Sequence, residues 1–346
     1  MIQELYDLQA AAGASFAPSG EAVPVSFGND VLAVAASRQS VALCDRSHWG
    51  RIQVTGEDRL RFLHNQSTNN FNLLQPGQGC DTVFVTSTAR TIDLATAYLT
   101  EDAVLLLVSP NRRQYLLDWL DRYLFPMDRV QIRDITATTA TFSTLGPEST
   151  QLLEKLGINR LEGQPYATHQ LVELGGIQVR VAVGSGLATP GYTLMVAANQ
   201  AANLWTQLMK AGSVPMGDRV WEQLRIEQGR PVPDLELTEE YNPLEARLLH
   251  TISYEKGCYI GQETIARLNT YQGVKQHLWG IRLSGSVSPG SLITIGDEKV
   301  GTVTSVTETE SGSFALAYIR TKAGGEGLKV QVGDRVGQVV NVPFLS

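Results

Sequence analysis

Tyr254–Arg267 reads YEKGCYIGQETIAR. A lysine, a glycine, a cysteine and a tyrosine stand in a row, followed by Gly-Gln-Glu. Cys258 is flanked by charge and glycine rather than by an apolar run. A free thiol has a pKa near ~8.5 and is mostly protonated at neutral pH. Lys256 lies two positions earlier, and in an extended segment residues two apart share a face. A helix opening at GQETIARL would put Cys258 just before its positive end. Ammonium and helix end both lower a thiol pKa, whereas Glu255 and Glu263 oppose them. Gly257 and Gly261 mark a backbone that bends or approaches something closely. The residues alone leave two readings of Cys258 open: a working thiol, or a small structural cysteine beside a turn.

The same stretch divides the chain by texture. Upstream, helical and strand patterns mix. FGNDVLAVAASRQSVALCDRS predicts an amphipathic helix and a short strand, GRIQVTG a strand, and GEDRLRFLHNQST a short helix with acids in its first turn. DTVFVTSTARTIDLATAYLTEDAVLLLVS reads as two or three strands. NRRQYLLDWLDRYL reads as a helix with Asn111 as cap candidate. VQIRDI and TATFSTLG follow as strands, then PESTQLLEKLG as a helix with Pro147 at its start. HQLVELGGIQVRVAV and YTLMVA are strands, and NQAANLWTQLMKAG and GDRVWEQLRIEQGRP are helices. From about Gln276 the pattern changes to short strands spaced by Gly, Pro and Ser: HLWGIRLSG, SLITIG, KVGTVTSVTET, SFALAYI, LKVQVG, RVGQVVNV. That texture predicts a small all-β barrel. The fold class is therefore α+β followed by a C-terminal β-barrel.

At 346 residues the chain is long enough for two or three domains. Hydrophobic content of 43% and charged content of 18% are those of an ordinary globular protein. A net charge of -7 lacks the footprint of a nucleic-acid binder. Three cysteines, Cys44, Cys80 and Cys258, form no CxxC pair, so neither a disulfide framework nor a cluster-ligand pattern is present. A reducing, cytoplasmic setting is expected. The start MIQELYDLQAAAGASF has no signal-peptide pattern, and no apolar run approaches the ~20 residues of a membrane helix, so no membrane partner is expected.

Other chemistry is sparse. His48, His64, His169, His250 and His277 share no metal-ligand spacing, so no metal site is expected. VGSGLATPG, residues 183–191, lacks the spacing of a phosphate loop and reads as a connection between strands. In LRIEQGRPVPDLEL, Arg225 and Arg230 flank Glu227 at a helix end. An arginine there grips a carboxylate or stacks on a flat ring, or it is simply solvated.

The octet KGCYIGQE, followed by TIARLNTYQGVKQHLWGIRL, resembles the signature of the YgfZ-type folate-binding proteins. These are relatives of the T-protein, the aminomethyltransferase of the glycine cleavage system. CDRSHWGRIQVTGEDRLRFLHNQSTNNFNLLQPGQG resembles the T-protein opening. GDRVWEQLRIEQGRP and YNPLEARLLHTISYEKGCYIGQE match later landmarks of the family. The resemblance covers most of the chain. It implies a three-part, cloverleaf GcvT-like fold around a channel for tetrahydrofolate or a folate derivative. The parts are an N-terminal folate-binding-like domain (1–135), a second α+β domain completing the channel and carrying the octet (136–272), and the barrel (273–346). It implies support of iron–sulfur cluster assembly or repair, with transient partners among assembly proteins or client enzymes. Cys258 is then the functional residue, with Lys256 and Tyr259 beside it and Gly257, Gly261, Gln262 and Glu263 completing the motif.

The chain departs from the aminomethyltransferase pattern at two places. In ARTIDL, Asp93 meets the first of two family aspartates and Leu94 replaces the second, catalytic one. A leucine neither accepts a proton nor stabilises a developing cation. Thr193, in GYTLMV, stands where the family glutamate holds the pterin. One hydroxyl does not reproduce a two-oxygen grip. Arg225 matches a channel arginine, and Asn111 and Tyr115 lie where the pterin-side loop runs. The resemblance thus implies a folate-type protein that is not a functional aminomethyltransferase. Two alternatives are a folate-dependent one-carbon transferase using another acid, such as Asp93 or Glu227, and a binding module for another flat anion.

Overall fold

A computed structural model of the chain describes residues 2–17, 23–159, 161–271 and 273–345. Position 272, the expected boundary before the barrel, lies outside the described residues, as do 1, 18–22, 160 and 346. The described chain clusters into two compact units. One contains residues 1–60, 73–80 and 96–221, the other 61–72, 81–95 and 222–346.

The first unit is organised by a six-stranded sheet in the order His169–Leu174, Ile177–Val183, Gly191–Ala197, Thr139–Leu145, Ala42–Asp45, Val214–Met216. All pairs are antiparallel except the last, where Val214–Met216 runs parallel to Ala42–Asp45. Helices Ser149–Lys155 and Ala201–Lys210 bury Leu152, Leu153, Leu204, Trp205 and Leu208 in one core with Phe142, Val179, Val181 and Leu194 of the sheet. Phe27 stacks on Trp205 at 5.8 Å. A second, five-stranded sheet has the order Gly79–Val85, Thr91–Leu99, Ala103–Val108, Gly50–Thr55, Gln131–Asp134.

The expected C-terminal barrel is present in the second unit. Six strands close in the order Gln276–Leu283, Gly312–Arg320, Glu298–Thr309, Leu292–Ile295, Lys329–Val332, Arg335–Val340, and Gly280 pairs with Val340 to seal the ring. Strand alternation sends Ala315, Ala317 and Ile319 into the barrel with Ile281, Ile293, Val303 and Val339. Leu316 and Tyr318 point the other way, into a core with Val83, Val85, Leu94, Ile226 and Leu237.

Helices expected from periodicity occur at Asp30–Gln39, Arg59–Gln66, Asp218–Gln228 and Gln262–Thr270. The cap expected at Asn111 is corrected. Asn111 sits inside a 3-10 turn, Pro110–Arg112, and the α-helix starts only at Arg113 with Arg112 in the cap position. Pro110 fixes the backbone of that turn and displaces the helix start. Among the described residues no helix is long and apolar enough to cross a membrane.

Two histidines of the first unit give it an acid limit. Burial, with the charges of Arg46 and Arg51, pulls His48 down to about 4, against an ordinary 6.5. Asp218 at 3.8 Å would favour the charged form, but it is half-exposed and burial outweighs it. Burial and Arg180 likewise bring His169 to about 4. Both rings are neutral in the folded state, so their contribution is complete above pH 6.5 and disappears as pH falls towards 4. The melting temperature is expected to drop steeply over that window, and a His169→Gln variant should flatten the slope by about one proton. An unchanged slope in that variant would exclude His169 as a cause.

Candidate functional site

The segment carrying Cys258 is built against the end of the helix Arg59–Gln66, within the second unit. A helix leaves its last four carbonyls without partners and a partial negative charge at that end. The Lys256 ammonium meets that end, taking one helix carbonyl and two from the residues that follow. It donates to the carbonyl oxygens of His64 (2.5 Å), Ser67 (2.6 Å) and Asn69 (2.7 Å). An ammonium has three donors, and these three carbonyls match them. Nζ also lies 4.5 Å from the centre of the Tyr259 ring. Beyond the cysteine, the Ile260 amide donates to the Asn65 carbonyl at 3.0 Å. Upstream, the Ser253 amide donates to the Thr68 carbonyl, and the Thr68 hydroxyl to the Thr251 carbonyl.

The result is a sharp contrast within four residues. Lys256 and Tyr259 are buried, while Gly257 and Cys258 are exposed. Spacing alone sets Lys256 beside the thiol; in the structure its ammonium makes three hydrogen bonds to backbone carbonyls. Burial and the neighbouring Tyr254 hold the Tyr259 phenol up to about 12, so it stays protonated at neutral pH. Its ring packs with Ala89, Leu244, Ile252 and Ile265.

Within the motif, Gly261 is the left-handed cap of the helix Gln262–Thr270, with φ +83. A Cβ there would lie 2.9 Å from the Thr86 carbonyl oxygen and 2.9 Å from Val85 Cγ2. Backbone conformation and space both require glycine. Gly261→Ala is expected to cost about 2–4 kcal/mol, from left-handed strain plus the clash with fixed backbone. Gly257, where a Cβ would meet only His64 Nε2 at 3.8 Å, should accept alanine within about 1 kcal/mol. Urea unfolding of the two variants checks the contrast. Gln262 is half-buried and Glu263 exposed.

Arg225 is wholly buried. Burial pulls its pKa down, but Glu236 and Glu222 together hold it above its ordinary value. It donates to Glu236 Oε2 at 3.0 Å, to both Glu222 oxygens, and to Ser305 Oγ at 2.8 Å. Ser305 in turn donates to Glu236 Oε1 at 2.5 Å. Sequence reasoning found the arginine but neither Glu236 nor Ser305, which no local pattern links to it. Asp93 is fully buried in the strand Thr91–Leu99. Leu94 faces the opposite way and belongs to the apolar core with Val83, Ile226 and Leu278.

The remaining candidates belong to the first unit. Thr193 lies in register with Ser143, and Ser143 with Cys44, giving a buried row across three strands. The Thr193 hydroxyl donates to the Gly184 carbonyl at 2.8 Å. Arg46 lies over Trp49 (3.8 Å) and Trp221 (4.5 Å) and donates to Ser143 Oγ and the Ser185 carbonyl. The glycine loop 183–191 is thus a connection held by an arginine, as its spacing suggested. Burial pushes the Cys44 thiol well above its ordinary value, and Cys80 is partly buried. Asn111 is exposed in its turn, and Tyr115, 44% exposed, stacks on Trp119 at 6.2 Å. Among the described residues no group of three His, Cys, Asp or Glu is placed to hold a metal ion.

A family model for the GCVT N-terminal domain matches residues 5–256. A chloroplastic protein of Arabidopsis thaliana that carries a provisional transferase name is 48% identical, over 95% of this chain and 77% of its own length. The aminomethyltransferase of Symbiobacterium thermophilum is 28% identical over 98% of this chain and 96% of that protein. In structure, the chain is similar to the glycine cleavage system aminomethyltransferase T of Bartonella henselae, with a TM-score of 0.87, 20% identity, and coverage of 99% and 97%. With the α+β fold and closed barrel that this aminomethyltransferase shares, and a match over most of its length, the chain belongs to the GCVT-domain family.

Proposed function

We propose that this protein is a YgfZ-type member of that family, a folate-type binding protein that supports iron–sulfur cluster assembly or repair through Cys258. The observation that carries the reading is the exposed thiol between buried Lys256 and Tyr259. A segment tied down on both sides offers its sulfur at low conformational cost. One thiol cannot hold a cluster, which takes about four ligands. The role is therefore transient: Cys258 lends a sulfur ligand while a partner supplies the others. The cluster is cargo, and tetrahydrofolate or a derivative is the small-molecule ligand expected from the family. Arg225 and Asp93 of the second unit, and separately Thr193, Asn111 and Tyr115 of the first, are the positions that the family resemblance gives to ligand binding. Leu94, sealed in an apolar core, supports a role other than aminomethyl transfer.

The test is rescue in cells lacking the protein. Wild type is expected to restore iron–sulfur enzyme activity under oxidative stress, and Cys258→Ser at equal abundance is expected not to. Restoration by both would remove the thiol from the mechanism, and restoration by neither would remove the cluster role. A one-carbon transferase is the second reading, favoured by the provisional name of the 48% identical relative. Turnover of methylene-tetrahydrofolate with an amine acceptor would establish it.

A further inference from the structure

Two clefts of the second unit meet at Gly273. One, of about 780 Å³, is lined by Glu263, Thr264, Arg267, Leu268, Tyr271 and Gly273. The other, of about 1000 Å³, lies against the barrel and is lined by Val274, Lys275, Ile295, Glu298, Arg320 and Lys322 among others. Its wall is fixed. The Thr321 amide and hydroxyl donate to the carbonyls of Lys275 (2.9 Å) and Val274 (3.0 Å), and Ile295 pairs with Glu298 across a hairpin.

The charge of this groove runs against that of the chain. Four cations, Arg267, Lys275, Arg320 and Lys322, face two carboxylates, Glu263 and Glu298, in a protein of net charge -7. All four cations are exposed. Among the described residues none of them has a carboxylate oxygen within ion-pair distance. Between them lie apolar groups open to solvent, with Tyr271 78% and Ile295 40% exposed. A solvated charged face has no use for that apolar lining.

We propose that this groove is a docking surface for an acidic segment of a partner protein, one whose carboxylates alternate with apolar side chains. Carboxylates would meet the four cations while the apolar residues cover Tyr271, Leu268 and Ile295. A nucleic-acid backbone fits less well. It carries a charge on every nucleotide, so it meets the net negative charge of the protein more strongly than a segment whose carboxylates alternate with apolar side chains. The helix Gln262–Thr270, one wall of the groove, follows Cys258 in the chain through Gly261. The surface itself requires no thiol chemistry.

The test is fluorescence anisotropy on the full chain with a fluorescein-labelled peptide, Glu-Leu-Glu-Asp-Leu-Glu, and its Gln/Asn counterpart. The acidic peptide is expected to bind at least about tenfold more tightly than the neutral one, and to weaken with salt. Lys275→Glu combined with Lys322→Glu, both exposed changes, should weaken it by about tenfold or more with an unchanged thermal melt. Equal binding by that variant, or no binding to wild type by ~1 mM peptide, would overturn the assignment. So would tighter binding of a single-stranded oligodeoxynucleotide, or equal displacement by citrate. Cys258→Ser is expected to bind the peptide as wild type does, so failure of the groove and failure of the thiol reading are separate results.

Discussion

Replacing Arg225 by methionine is expected to lower the unfolding free energy by about 3–5 kcal/mol, because it leaves a buried carboxylate without its counter-charge. Arg225 and Glu236 have no side-chain exposure, and their ion pair is 3.0 Å long. Glu236 would keep Ser305 Oγ and the Val232 amide as donors, both neutral. Two neutral hydrogen bonds do not replace a guanidinium in a site closed to water. Glu222 contributes less, since it is half-exposed and water can solvate it once the arginine is gone. The companion variant Arg225→Met with Glu236→Gln removes both charges. It is expected to recover half or more of the loss, since a buried pair exchanged for neutral groups of similar size is often close to neutral. Urea unfolding of the two single variants and the double gives the coupling directly. A loss below about 1 kcal/mol for Arg225→Met, or a double variant as unstable as the summed singles, would show that the pair is not what the second unit depends on.

The same cluster marks the limit of what the sequence discloses. The barrel is legible because each strand is short, alternating and bounded by glycine or serine, so the signal is local. The helix after Gly261 is legible for the same reason, although not the left-handed geometry that makes that glycine obligatory. Arg225 stands out as a helix-end arginine, but Glu236 is eleven residues away, beyond a proline loop, and Ser305 eighty. Side chains paired at such separations leave no periodic trace. Asn111 misleads for a local reason: Asn before a helical run is a good cap, but Pro110 imposes a 3-10 turn first. Leu94 is legible as the loss of an acid, and the structure adds that its side of the strand is an apolar core. Lys256 is the sharpest case. Its spacing points to the thiol, yet its hydrogen-bond partners lie 187 to 192 residues earlier in the chain.

That geometry favours one of two roles for Lys256, and Lys256→Met separates them. As a latch on the helix end, the lysine supplies three charge-assisted hydrogen bonds to buried or part-buried carbonyls. Such bonds contribute about 1.5–3 kcal/mol each, but not additively, and the segment loosens enough to readmit water, so a net loss of about 3 kcal/mol is expected. Amide exchange should rise together at residues 64–69 and 256–260, because one contact set joins them. The alkylation rate of Cys258 by iodoacetamide should change by less than about threefold, since the thiol is already exposed and the ammonium is committed to three carbonyls. An electrostatic activator gives the opposite pattern: stability close to wild type and alkylation slowed by about tenfold or more. Lys256→Arg sharpens the distinction. It keeps the charge but replaces a compact ammonium with a planar fork that three converging carbonyls do not match. It should therefore lose about 1–2 kcal/mol under the latch, whereas an activator tolerates it. Wild-type stability in both variants, with slowed alkylation only in methionine, would return Lys256 to the chemistry of the thiol.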